Sequence, residues 1–193
     1  MTPKEYIKKF REFIKDLMKG STLLPSLVMA QALYEAADDN GVAGGSVHAL
    51  TYNNDVRMRA GRSWKGPRVK LPTRQIKGDK KRARLAWFRI YLNPELSIAD
   101  RVKMLTKKVA IWPTAFWHND TVKQQARRLQ ALGISPDPNY GQRMFDIVNT
   151  HKLYRMDKQW WIEKIWRFSF SFVFFIGVRY ALQNWDAWVP WRN

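Results

Sequence analysis

Apolar positions recur at helical spacing through much of the first 157 residues. Tyr6, Phe10, Phe13, Ile14 and Leu17 line one face of a segment whose remaining positions include Lys4, Lys8, Lys9, Arg11 and Lys15. That pattern predicts an amphipathic packing helix. Thr2-Pro3-Lys4-Glu5 supplies a capping box with proline at the first helical position, and Gly20 is a natural stop. The next segment, Pro25 to Asp38, is different in kind. Leu27, Ala30, Tyr34 and Ala37 recur at helical spacing, Val28 and Leu33 widen the stripe, and Glu35 stands near the end. A helix this apolar is expected in the core of the domain.

From Gly41 to Gly61 the periodicity breaks down, with Gly44-Gly45 and Asn53-Asn54 in the gap. Arg68 to Thr73 then alternates, Lys77-Gly78-Asp79-Lys80 has turn chemistry, and Arg82 to Tyr91 completes a predicted β-hairpin with a charged outer face. Three further helices follow. Ser97 to Asp100 is expected to cap the first, which carries Val102, Leu105 and Val109. Asn119 or Asp120 is expected to cap the second, carrying Val122, Ala126 and Leu129 up to a stop at Gly133. The third starts around Asp137-Pro138-Asn139-Tyr140, with Met144, Ile147 and Val148 inward.

Composition narrows the chemistry. There is no cysteine, which removes disulfides, thiol nucleophiles and zinc-thiolate sites. His48, His118 and His151 are scattered without metal-ligand spacing, so neither a metal nor any other cofactor is expected. The net charge is +18, and residues 160 to 193 hold only four of the 34 Lys/Arg and two of the 16 Asp/Glu. Nearly all of the positive field therefore belongs to the region before the tail. It suits polyanions: nucleic acid, anionic lipid or a charged cell wall. The basic hairpin could grip phosphates, but no helix-turn-helix, RNP or zinc pattern accompanies it, so nucleic acid is the weakest of these partners. Among candidate catalytic groups Glu35 stands out. If it faces a cleft beside the Gly-rich stretch, desolvation keeps it protonated, which is what a general acid requires; the alternative is a solvated residue at the boundary of the helix. Gln31, one turn earlier, shares its face.

Pro25-Ser26 followed by Ala30-Gln31-Ala32-Leu33-Tyr34-Glu35 resembles the P-S-x-x-x-A-Q-A-x-x-E signature of bacterial and phage glucosaminidases. These are the peptidoglycan hydrolases of glycoside hydrolase family 73. Trp64-Lys65-Gly66, Val69-Lys70-Leu71-Pro72-Thr73 and Phe88-Arg89-Ile90-Tyr91 are similar to the W-x-G, V-x-L-P-T and F-R-x-Y elements of that family's β-lobe. Leu129 to Tyr140 is similar to its L-Q-x-x-G-Y-A-T-D-P-x-Y run. The resemblance covers roughly residues 5 to 157. It implies a mostly α (α+β), lysozyme-like helical domain with a small β-hairpin lobe over a cleft. It implies that Glu35 is the catalytic acid and that Tyr140 lies in the active cleft. Gln31, Asn54, Trp64, Gln75 and Trp87 are the expected substrate contacts, and bacterial peptidoglycan the expected partner, cut at a β-1,4 bond after N-acetylglucosamine.

Two departures stand out. The family's N-N-x-F-G loop reads Asn53-Asn54-Asp55-Val56-Arg57 here, with arginine at the glycine position. Many relatives also have T-x-E, whose Glu is proposed as a second carboxylate, whereas Thr73-Arg74-Gln75 puts an amide there. Gln75 is no base, although it can hold a water or an acetamido group. Asp79 is the nearest substitute. These departures keep a non-catalytic glycan- or membrane-binding scaffold as the alternative to a hydrolase.

Beyond the domain at 1–157, residues 158–193 form a Trp/Phe-rich extension with six tryptophans from Trp160 to Trp191. Phe168 to Val178 is uncharged but too short to span a bilayer alone. Arg167 and Arg179 flank it, and Trp166 and Trp185 would stand about 28 Å apart on a helix, near hydrocarbon thickness. Phe168-Ser169-Phe170-Ser171-Phe172 alternates instead like a strand that docks on protein. The expectations are therefore a membrane association or a docking segment for a virion or other partner. Met1 leads into a charged helix rather than an apolar signal, which suits a phage lysin in the virion or the host envelope.

Overall fold

The computed structural model describes residues 1–19, 21–77, 80–111, 121–135 and 137–157, without the side chains of 74–83 and 108–111. Met1–Asp157 is one compact unit. The elements run α1 (Pro3–Leu17), α2 (Pro25–Ala36), α3 (Val47–Tyr52), β1 (Arg68–Lys77), β2 (Lys80–Arg89), α4 (Pro94–Ile111), α5 (Val122–Ala131) and α6 (Tyr140–Thr150). The result is a mostly helical α+β fold with one small antiparallel sheet, as the sequence pattern implies. Gly20, Asp79, Asn119, Asp120 and the extension 158–193 lie outside the described residues. Among the described residues no helix is long and apolar enough to cross a membrane.

α2 is the centre of the fold. It packs against α1, α4, α5 and α6, and ten of its twelve residues are buried, from Pro25 through Leu33 and again at Ala36. The burial surrounds the helix, so it goes further than the stripe read from periodicity. α1 is the amphipathic helix expected: Tyr6, Phe10 and Ile14 face the core, and the Thr2–Glu5 capping box is formed in both directions.

α2 lacks a capping side chain of its own, because its N-cap is Leu24 and its C-cap Ala37. Distant residues satisfy its ends instead. The Ser26 N–H donates to Asp157 Oδ1 at 2.9 Å and the Leu24 N–H to Gln125 Oε1 at 3.0 Å. Gln125 Nε2 in turn donates to Thr22 O at 2.8 Å, tying the loop before α2 to α5. The orphan donors of a helix start are thus met by the far end of the chain.

Two expected caps are corrected. Ser97 lies inside α4, whose start is set by Pro94 with Asn93 Oδ1 accepting from the Leu96 N–H. Proline fits the first turn because its missing N–H has no helical partner there. α5 is capped by Thr121, which forms a reciprocal box with Gln124. Gly133 ends the α5 region in a left-handed conformation, φ +63°.

β1 and β2 pair antiparallel from Arg68↔Arg89 to Lys77↔Lys80. Side chains alternate across the hairpin. Phe88 is buried, Val69, Leu71 and Ala86 are half-buried on its face, and Arg68, Lys70, Pro72, Leu85 and Trp87 are exposed on the other. A short stretch beside β2 ties the lobe to the loop after α3: Ala60 N–H donates to Trp87 O and Arg89 N–H to Met58 O.

Candidate active site

Glu35 occupies the last turn of α2, and its side chain is 13% exposed. It therefore sits at the boundary between core and solvent, reachable by a ligand yet largely stripped of water. Burial pushes its carboxyl above the ordinary carboxylate range, and the nearby charges of Arg101 and then Arg57 pull it back. Among the described residues the charges acting on Glu35 are thus both cationic. A protonated carboxyl held near two guanidinium groups can give up a proton and be stabilised after doing so.

Arg57 reaches the same helix end from the loop after α3. Its Nε donates to Glu35 O at 2.8 Å and its Nη2 to Ala37 O at 3.2 Å. The Glu35 carboxylate oxygen is 3.8 Å from Nε. Arg101 comes from α4 and is 7% exposed, with Nε and Nη2 buried and unpaired. Those two nitrogens form one edge of the guanidinium fork, the geometry that grips a carboxylate or a pair of acceptors.

The site is deepened by Gln31 and Tyr140, 1% and 0% exposed. Both atoms of the Gln31 amide and the Tyr140 hydroxyl lack a well-formed hydrogen bond. The Tyr140 hydroxyl lies beside Arg101 and Gln31; burial pushes its pKa strongly up, Arg101 pulls it back and Glu35 adds to the rise, so the hydroxyl is neutral. Tyr34 packs edge-on to Tyr140 with ring centroids 5.9 Å apart, and its hydroxyl donates to Asp137 Oδ2 at 3.2 Å. Glu35, Gln31 and Tyr140, singled out separately in the sequence, therefore converge on one polar cluster.

Asn54, Trp64 and Trp87 have their contacts elsewhere. Asn54 is wholly buried; its Nδ2 donates to Met58 O and Arg89 O, and its Oδ1 accepts from the Met58 N–H at 2.7 Å. With its amide saturated inside the loop, Asn54 is a structural clamp, which corrects the expectation of a sugar contact. Trp64 donates through Nε1 to Pro67 O, lies under the Arg89 guanidinium at 4.5 Å and packs on Tyr91. Its ring is engaged in holding the lobe together. Trp87 is 42% exposed on the outer face, with Arg68 4.7 Å and Lys70 5.9 Å from its ring centroid. Gln75 pairs in register with Arg82, and its side chain lies outside the described residues. A groove between α5 and α6, lined by Lys123, Arg127 and Phe145 among others, includes none of the candidate acid's neighbours except through the shared helix α6.

Sequence reasoning missed Arg57 and Arg101. A signal existed for each. Arg57 replaces a glycine of the family pattern, and Arg101 interrupts the inward face formed by Ile98, Val102 and Leu105.

A core helix ending in a half-buried acid, with a β-hairpin lobe beside the helical body, defines the class: a lysozyme-like α+β domain. Residues 11–153 match the glucosaminidase family model, described as mannosyl-glycoprotein endo-beta-N-acetylglucosaminidase, and the chain belongs to that family. It is 24% identical over 146 residues to the peptidoglycan hydrolase FlgJ of Vibrio parahaemolyticus, covering 76% of this chain and 46% of the relative. It is 30% identical over 101 residues to the Salmonella typhimurium FlgJ, covering 51% and 31%. The chain thus spans less than half the length of these curated relatives. In fold it is similar to the catalytic domain of the Listeria monocytogenes autolysin Auto, with a TM-score of 0.65 at 21% identity, covering 80% of this chain and 86% of that one.

Proposed function

We propose that the chain is a peptidoglycan hydrolase that cleaves a β-1,4 glycosidic bond after N-acetylglucosamine, with Glu35 as its general acid. The observation that carries this reading is the desolvated carboxyl of Glu35 at the end of the core helix, in a chain of the glucosaminidase family. Glu35 protonates the leaving glycosidic oxygen as an oxocarbenium-like centre develops at C1. Among the described residues the charges acting on Glu35 are those of Arg101 and Arg57, and attack on C1 comes in this reading from a positioned water or from the substrate's own acetamido oxygen. Tyr140 and Gln31, buried beside Arg101, line the polar cluster behind Glu35 and in this reading turn toward the sugar when it binds. Trp87 offers an exposed ring, and Gln75 an amide for the acetamido group.

Residues 158–193 act in this reading as a separate extension that meets a membrane or a protein partner, in a lysin carried by a phage virion or working at the host envelope. The aromatic composition of the extension and the positive charge ahead of it support that placement. Liposome flotation of the full chain, with and without residues 158–193, tests it.

The test of the central reading is digestion of purified peptidoglycan by the wild type and by Glu35→Gln, with mass spectrometry of the fragments. Fragments ending in reducing N-acetylglucosamine from the wild type alone are expected. No fragments from a folded wild type would shift the reading to a binding scaffold, and full activity of Glu35→Gln would remove the acid assignment.

A further inference from the structure

Position 57, a glycine in the family pattern this loop resembles, has a backbone conformation suited to glycine. Its φ is +47°, in the left-handed region that side chains disfavour. An arginine in that conformation needs something to hold it, and the structure shows what does. The guanidinium donates to the carbonyls of Glu35 and Ala37, which belong to the unsatisfied C-terminal end of α2. Positive charge is favourable at that end of a helix. The same group stands 3.8 Å from the Glu35 carboxylate. One side chain therefore fixes the helix that carries the acid and sets a permanent charge beside it. Glycine does neither.

We propose that Arg57 is a positioning residue for Glu35: it anchors the end of α2 and stabilises the carboxylate that Glu35 becomes on releasing its proton. The inference rests on the reading of Glu35 as the acid. If the acetamido oxygen is the nucleophile, one carboxyl serves both halves of the reaction. In the first half the Glu35 proton passes to the glycosidic oxygen as the C1–O bond breaks and the acetamido oxygen bonds to C1. In the second, water bonds to C1, the acetamido oxygen departs, and Glu35 takes the water's proton. Such a group needs both its forms within reach. Burial favours the neutral one, and Arg101 from α4, followed by Arg57, favours the anion. Tyr140 from α6 and Tyr34 on α2 face the same group and stay neutral. His48, held down to about 4 by burial and then by Arg57, is also neutral above that pH.

The experiment uses the full chain and its Arg57→Gly, Arg57→Lys and Glu35→Gln variants. Two quantities are read: the pH profile of kcat/KM on purified peptidoglycan, and the titration of carboxyl-labelled glutamate by NMR, with Glu35→Gln assigning the resonance. Arg57→Gly restores the residue suited to this backbone, so folding is favoured. It is expected to move the Glu35 midpoint and the basic limb of the profile to higher pH, and to lower kcat/KM by about tenfold through a misplaced acid. Arg57→Lys keeps the charge and loses the fork, so its midpoint stays close to wild type while the rate falls. An unchanged midpoint and basic limb in Arg57→Gly overturns the proposal alone, provided Glu35→Gln is inactive. A fully active Glu35→Gln overturns the acid reading and this inference together.

Discussion

α2 and the β1–β2 hairpin lie close in sequence and solve opposite problems. α2 is covered on all sides, and its charged group stands at one end. The hairpin has Phe88 as its buried anchor among the described side chains and leaves Arg68, Lys70, Leu85 and Trp87 in solvent. Charge is therefore costly at the end of α2 and cheap on the hairpin. At Glu35 burial raises the proton affinity, and the guanidinium groups of Arg101 and Arg57 offset only part of that rise. On the hairpin Arg68 and Arg89 stand directly opposite each other, a repulsive pairing. It is relieved because Arg89 pairs with Asp100 and stacks on Trp64, while Arg68 lies over Trp87. A carboxylate on the hairpin would be an ordinary solvated acid. The same group at the end of α2 is held above the ordinary carboxylate range by burial.

The change that breaks this contrast most completely is Glu35→Gln. It keeps the shape and removes the proton, so wall digestion is expected to fall by roughly 100- to 10,000-fold. Circular dichroism should show an unaltered fold. Packing gives the next largest difference. Leu27→Ala opens a cavity in the covered helix and should cost about 3 kcal/mol in a denaturant titration. Leu85→Ala, 61% exposed on the hairpin, should stay within about 0.5 kcal/mol. Equal losses at the two positions would mean that the hairpin face is covered in solution.

Asp157 sharpens the comparison at the other end of α2. Burial raises its carboxyl to about 6, against the hydrogen bond it accepts from the Ser26 N–H. The folded state then binds a proton more tightly than the unfolded one. The resulting stability is fully present below the ordinary carboxylate range and is lost as pH rises through about 6. Asp157→Asn keeps an acceptor for the Ser26 N–H and deletes the titration. The variant should gain on the wild type by about 2 kcal/mol between pH 4 and pH 8. Parallel stability curves across that range would show that Asp157 is solvated.

The elements were legible where local chemistry fixes them. The Thr2–Glu5 box, the alternation of the hairpin and the left-handed Gly133 each depend on a few neighbouring residues, and each stands where the pattern puts it. The ends of α2 were not legible, because their partners come from far along the chain: Gln125, Asp157 and Arg57. Ser97 misled because a serine before an apolar run reads as a cap, whereas Pro94 starts α4 one turn earlier. In the candidate site, Glu35 and Gln31 were visible through helical spacing and Tyr140 through the family resemblance of the run ending at it. Arg101 was hidden, since a single arginine on an apolar stripe reads as a residue that reaches out to solvent. Asn54 was misjudged for a related reason: a loop asparagine looks available until its three hydrogen bonds are seen.

The smallest effect belongs to the hairpin's charges. Arg68 and Lys70 are exposed and stand at the outer face around Trp87. Their contribution to attracting an anionic wall is long-range and screened by salt. The double variant Arg68→Gln/Lys70→Gln should weaken wall binding by about threefold at low ionic strength. At 1 M salt, where the screening length is about 3 Å, it should match the wild type. Turnover of bound substrate should be unaffected. Arg57 obeys the opposite rule, because its contact with the carbonyls of α2 is short and direct, so the loss on replacing it should persist at 1 M salt. A hairpin effect that also persisted there would place Arg68 and Lys70 in direct contact with the glycan, and the division between a covered helix that carries the candidate acid and an open hairpin that attracts would no longer hold.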